Sequence, residues 1–262
     1  MFPGMTARMG TSNTHKEVRM KRALFACLAS LATLATSVLA APPATSGIVV
    51  VHPRKNFPRG MLPETPGWQV LACASNRCEL RPADMVVKAG TAVNVLDEEE
   101  PVTLMEPPAV DGATPVAWLH GMTFPAGAVT TWHVVGPPET VFYSRQLRTL
   151  VRTGQWTIPG PTDAKLSWVK TPEGNRRYHL SAAGKKQFLF QVEAEGHYGG
   201  DTTPVVRWAG DLDGDGLVDL LIDLPDDNCG FDERLYLSKD AGPGKLVRKA
   251  AQVAGREAAC GC

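Results

Sequence analysis

Four aspartates within nine residues are the part of this 262-residue chain best suited to chemistry. They stand in Asp211-Leu212-Asp213-Gly214-Asp215-Gly216-Leu217-Val218-Asp219, at positions one, three, five and nine counted from Asp211. A hard divalent cation takes six to eight oxygen ligands, and alternating carboxylates let one short loop wrap around it. Gly216, at position six, supplies the sharp turn such a loop needs, and Leu217, at position seven, offers a backbone carbonyl. Position twelve, where an EF-hand places a bidentate glutamate, is Ile222, and Asp223 is displaced by one residue. The expectation is a calcium loop that is not an EF-hand. A turn in which Asp and Gly serve only as turn formers would leave four carboxylates repelling one another without a counter-ion.

The flanks, Val205-Val206-Arg207-Trp208-Ala209 and Leu220-Leu221-Ile222-Asp223-Leu224, read as strands. Strand, acidic loop, strand resembles the FG-GAP or VCBS-type repeat of integrin-like propellers and secreted bacterial proteins. The resemblance implies side-chain ligands from Asp211, Asp213, Asp215 and Asp219, with Leu217 adding its carbonyl. It covers about 50 residues, Pro204 to Val253, and no second acidic loop of this spacing occurs. A propeller needs several blades, so the preceding chain is expected to be a different β structure or blades lacking the loop. Asp226-Asp227 with Asp232-Glu233 reads only as an acidic connection.

The elements that must position this loop also read as β. Apolar residues recur with period two or in short runs bounded by Gly, Pro and Asp. Expected strands are 47–51, 68–72, 85–88, 93–96, 102–105, 129–135, 140–143, 166–170, 177–180, 187–192, 205–209, 220–224, 235–238 and 246–249, with a short helix near Arg145 to Val151. Pro172-Glu173-Gly174-Asn175 predicts a hairpin loop. The fold class expected is all-β with antiparallel sheets, sandwich-like or partial propeller-like, and a calcium-loop hairpin near the C-terminus. Pro42–Ser46 and Pro53–Pro66 are proline-rich and are expected to be weakly ordered. Gly136-Pro137-Pro138 marks an expected boundary between an N-terminal β region, 41–138, and a C-terminal one, 139–262.

Residues 1–40 read as an export signal. Lys21 and Arg22 precede the uncharged run Ala23–Leu39, which ends in Val38-Leu39-Ala40, a small-x-small cleavage pattern. Met20, directly before the basic pair, is a second candidate start. The alternative is a transmembrane anchor, but the Ala, Ser and Thr content makes the run weakly hydrophobic. Cleavage after Ala40 leaves no stable membrane span, 222 residues and 22 basic against 26 acidic side chains, a net charge of −4. A mildly acidic chain without a basic stripe is a poor nucleic-acid ligand, and Arg145, Arg148 and Arg152 read as a solvated face.

Export permits disulfides. Cys73 and Cys78 flank Ala74-Ser75-Asn76-Arg77, which predicts a bridged hairpin, while Cys229 is expected to pair with Cys260 or Cys262. The remaining terminal thiol is open to redox, metal-binding or covalent-assembly roles, with a clasp on the C-terminus preferred. Catalytic signals are thin: His120, His133, His179 and His197 are scattered, and Glu193 and Glu195 beside His197 read as the end of a strand. The six tryptophans read as core rather than as a carbohydrate platform. The expectation is a periplasmic or secreted calcium-stabilised binding or envelope-associated module. A secreted hydrolase with a calcium-braced scaffold is the alternative. A protein or glycan partner is expected; its identity and the oligomeric state stay open.

Overall fold

A computed structural model describes residues 47–53, 55–75, 77–135, 149–150, 152–193, 203–224 and 229–260. The expected export signal, 1–40, the proline-rich stretch 42–46, the expected strand 140–143, most of the expected helix near Arg145–Val151, Glu195, His197, Asp226, Asp227 and Cys262 lie outside these residues. Strands dominate, and each pairing between them is antiparallel.

Nine strands form one sheet in the order β1 (Ile48–Val50), β7 (Thr114–His120), β3 (Trp68–Ala74), β4 (Arg77–Ala83), β8 (Gly127–Val134), β13 (Val205–Asp211), β14 (Asp219–Leu224), β15 (Gly230–Leu237) and β16 (Arg248–Arg256). Its two ends meet. Gly47 forms a parallel bridge with Ala251, donating to the Ala250 carbonyl at 3.3 Å and accepting from Gln252 at 3.2 Å. The sheet is therefore a nearly closed barrel. Val49, Leu71, Leu80, Leu119, Trp208, Leu221 and Leu235 pack together as the barrel's inner core.

Two smaller sheets cover the outside. The first, β2 (Phe57–Pro58), β6 (Glu99–Glu106) and β5 (Val86–Val93), packs Phe57, Val87 and Met105 on Val50, Trp68, Trp118, Phe231 and Val253. The second is β12 (Lys185–Val192), β11 (Arg176–Ala182), β10 (Lys165–Lys170) and β9 (Gln155–Thr157), which packs Leu166, Tyr178, Leu180 and Phe190 on Val206, Leu220, Ile222 and Leu224. Side chains alternate faces along a strand. In β14, Leu220 and Ile222 meet the outer sheet while Leu221 enters the barrel, which is why Leu220-Leu221-Ile222 is unbroken apolar sequence.

The all-β antiparallel expectation holds, with several local corrections. Pro53–Pro66 is not a loose lead-in, because it contains β2 and buries Phe57 and Leu62. The expected strand 93–96 is a turn: β5 stops at Val93, and Asn94 Oδ1 accepts from Leu96 N at 2.8 Å and Glu98 N at 3.1 Å. β16 starts at Arg248, and Asp232-Glu233 lies inside β15, not in a connection. The Pro172–Asn175 turn forms as expected, with Thr171 N donating to Asn175 O at 2.8 Å. Residues 136–138 lie outside the described set, and strands from either side of them, β8 and β13, pair directly.

Both expected disulfides are present. Cys73 and Cys78 are directly opposed in the β3–β4 hairpin, with a Cα–Cα distance of 4.0 Å. Cys229 pairs with Cys260, tying the residue before β15 to the chain beyond β16.

Candidate metal centre

The acidic loop joins β13 to β14, whose last ladder pair before it is Gly210 with Asp219. Asp211 organises it: Oδ1 accepts from Gly214 N at 2.7 Å and Asp215 N at 3.0 Å, and Oδ2 accepts from Gly216 N at 2.9 Å. Gly214 and Gly216 have φ of 81° and 79°, the left-handed region in which a Cβ is strained. These bonds turn the loop back on itself. One oxygen from each of Asp211, Asp213 and Asp215 then lies within 4.8 Å of the others.

Asp219 has a different environment. It is fully buried, and its carboxylate accepts from Leu212 N at 2.7 Å, Ser238 N at 2.7 Å and Ser238 Oγ at 2.8 Å. It stands outside the three-carboxylate group and holds the loop to the end of β15. Ser238 Oγ also lies 3.0 Å from both carboxylate oxygens of Asp215, so this hydroxyl links the two acidic sites. Leu217 lies in the same loop with its side chain half exposed, and its N–H is taken by Asp215 Oδ1 at 2.8 Å.

The electrostatics of the loop are unfavourable without a cation. Burial raises the Asp213 carboxyl above its ordinary range, and the charges of Asp215 and Asp211 add to the rise. Asp219 is pushed up to about 7, by burial first and then by Asp213. Asp213 Oδ2 accepts a long 3.3 Å bond from Lys239 N, while Oδ1 is buried with no hydrogen-bond partner. A buried carboxylate oxygen left unpaired beside two other carboxylates suits a hard, oxygen-seeking ion. Asp211, Asp213 and Asp215 are thus an oxygen donor set that could hold a hard cation.

Ser238 and Lys239 carry no local sequence signal. They reach the loop because the β14–β15 register, with Leu220 opposite Tyr236, brings Ser238 alongside the start of β14. A second polar group was also hidden in the sequence. Glu233 is almost fully buried, and its carboxylate accepts from Val51 N, from His52 N at 3.2 Å and from His52 Nδ1 at 2.7 Å. Arg207 Nη2 donates to Asp223 Oδ2 at 2.6 Å and to His52 Nε2 at 3.1 Å.

His52, Asp223 and Glu233 could present one ligand atom each within 4.8 Å. Here, however, the Arg207 guanidinium already supplies the positive charge, so the group is complete as an ion network. Its consequence is mechanical: Glu233 stands in for a neighbouring strand and fastens the end of β1. Beside His52 lies a cleft of about 940 Å³ walled by Pro107, Pro108, Pro115, Trp118 and Lys55.

The other histidines do not converge. His120 Nε2 lies 3.2 Å from both Thr65 Oγ1 and the Pro66 carbonyl, His133 Nε2 donates to Val206 O at 3.1 Å, and His179 Nδ1 donates to Arg177 O at 3.1 Å. Trp68, Trp118, Trp156 and Trp208 are core residues, and Trp132 and Trp168 pack partly buried against the core. Among the described residues no helix is long and apolar enough to cross a membrane. No known protein family, curated protein or solved structure matches this chain.

Proposed function

We propose that this is an exported β-barrel protein whose Asp211–Asp219 loop binds calcium, serving as a binding or envelope-associated module. The observation that carries the proposal is that Asp211, Asp213 and Asp215 bring one carboxylate oxygen each within 4.8 Å of the others, in a residue group where Asp213 Oδ1 is buried without a hydrogen-bond partner. The likeness of the loop to FG-GAP or VCBS-type repeats and the presence of two disulfides, which suit an oxidising compartment, support it further. The ion's role is structural. It would neutralise the loop that joins two adjacent barrel strands, and an extracellular module with a dissociation constant on the order of 10⁻⁴ M stays occupied at millimolar calcium.

The test is thermal melting of the parent and Asp213→Ala, each in millimolar calcium and in EGTA. The variant should melt lower than the parent in calcium and close to it in EGTA. An equal drop in both buffers rejects a metal-linked role. At free calcium one hundred times the dissociation constant, the ion contributes about 2.7 kcal/mol to the parent alone.

A secreted hydrolase is the second reading, and its support is the cleft beside His52. Both ring nitrogens of His52 are engaged, by Glu233 and by Arg207, which leaves neither ready to move a proton in the cleft. The module reading is therefore preferred.

A further inference from the structure

A strand at the edge of a sheet presents unpaired N–H and C=O groups, and proteins guard such edges with short strands, prolines or charges. The barrel's end strands, β1 and β16, meet at the Gly47–Ala251 bridge, and the other sheet edges among the described residues belong to the two covering sheets. Three of these are guarded: β9 has 3 residues, β2 has 2 and includes Pro58, and β12 opens with Lys185 and Lys186. β5 is not guarded. It runs 8 residues, contains no proline and, among the described residues, pairs only with β6. Its single charge, Lys88, forms an ion pair with Glu106 on β6 at 2.5 Å.

Exposed apolar surface gathers at the same place. Of the seven large hydrophobic side chains that stand exposed among the described residues, four belong to β5 and the turn after it: Val86 (50%), Val93 (60%), Val95 (66%) and Leu96 (72%). An open edge flanked by uncovered apolar side chains is a surface built for another strand.

We propose that β5 pairs antiparallel with β5 of a second copy of this chain, joining two three-stranded sheets into one of six strands. A two-fold axis normal to a sheet keeps each side chain on its face, so opposed residues must share parity. With Gly90 on the axis, Val93 of each copy lies opposite Val87 of the other, Thr91 opposite Ala89 and Lys88 opposite Ala92. No like charges are opposed. The acidic run Asp97-Glu98-Glu99-Glu100 follows the apolar turn, and antiparallel pairing sends the two runs to opposite ends of the joint. At about 3.3 Å per residue the two turns stand roughly 40 Å apart, beyond the Debye length of about 10 Å. The same acidic run disfavours an anionic membrane as the occupant.

Sedimentation equilibrium of the purified full chain tests the proposal. The parent should show a reversible monomer–dimer equilibrium between about 1 and 200 µM, in keeping with a small interface. Val93→Lys should weaken the dimer by about tenfold or more, because the change acts twice across the axis. Val169→Lys, at a comparably exposed valine on the other covering sheet, should leave it intact, and all three proteins should melt alike at concentrations low enough for the parent to be monomeric. A parent that stays monomeric throughout, or a dimer that Val93→Lys does not weaken, overturns the proposal. Flotation of a monomeric parent with neutral phosphatidylcholine vesicles would also overturn it and assign the apolar turn to a membrane surface.

Discussion

Single side chains in this molecule differ in how far their environment could be read in advance. Asp211, Asp213, Asp215 and Asp219 are legible because an acidic Asp/Gly loop is local: its carboxylates, its glycines and its turn fit within nine residues. Ser238 and the group of His52, Arg207, Asp223 and Glu233 are not, since their partners lie 16 to 182 residues away and meet only through strand register. One signal for that group did exist. Glu233 shares the strand parity of Leu235, a barrel-core residue, and a charge at a core position requires a buried partner. His133 gives a residue-scale prediction. Burial holds its imidazole below the ordinary value of 6.5, so the folded protein resists a proton that the unfolded chain accepts. Stability from this residue is full above pH 6.5 and declines as pH falls below it, by at most about 1.4 kcal/mol per pH unit. Melting curves between pH 7.5 and 5.5 should show a shallower acid-side loss in His133→Gln than in the parent; parallel curves would assign that loss to other groups.

At the level of elements, alternation found the strands with one solvent-facing side, while strands covered on both sides were found as short apolar runs at β3, β13 and β14 and missed at β7. β7 was not foreseen, because Val116-Ala117-Trp118-Leu119 is buried throughout and shows no period of two. β15 was read as starting too late, because Asp232, Glu233 and Arg234 look like a solvated connection until His52 and the β1 amides occupy Glu233. The β13–β8 contact yields a prediction of its own. A Cβ on Gly210 would sit 2.1 Å from the Thr130 carbonyl oxygen and 2.4 Å from the Trp208 ring. Backbone cannot yield as a flexible side chain does, so Gly210→Ala should destabilise by about 2–4 kcal/mol on urea unfolding. A loss below about 0.5 kcal/mol would mean that the two strands separate freely there. The β3–β4 hairpin has a smaller stake in its cross-link. Replacing Cys73 and Cys78 together by Ala closes no loop in the unfolded chain, and by the chain-entropy relation stability should fall by about 2 kcal/mol in the same assay.

On the scale of the whole molecule, closure is the feature that local sequence could not announce. Period-two patterning identifies faces but says nothing about whether the first strand meets the last, and here that contact comprises one parallel bridge at Gly47 and the carboxylate of Glu233. Glu233→Ala should therefore loosen far more than one side chain. It strands the Val51 and His52 amides and removes the anion beside His52, for an expected loss of about 3–5 kcal/mol. Hydrogen exchange should speed up at residues 48–52 while β10 and β11 stay protected; uniform acceleration across every sheet would argue against a localised seam. Order of synthesis follows from the same seam. Residues 48–50 leave the ribosome roughly 200 residues before 248–256, so a growing chain cannot shut its cylinder until its final strand is out. Such a polypeptide stays unzipped through most of its synthesis, the condition required of any cargo threaded through a narrow export channel.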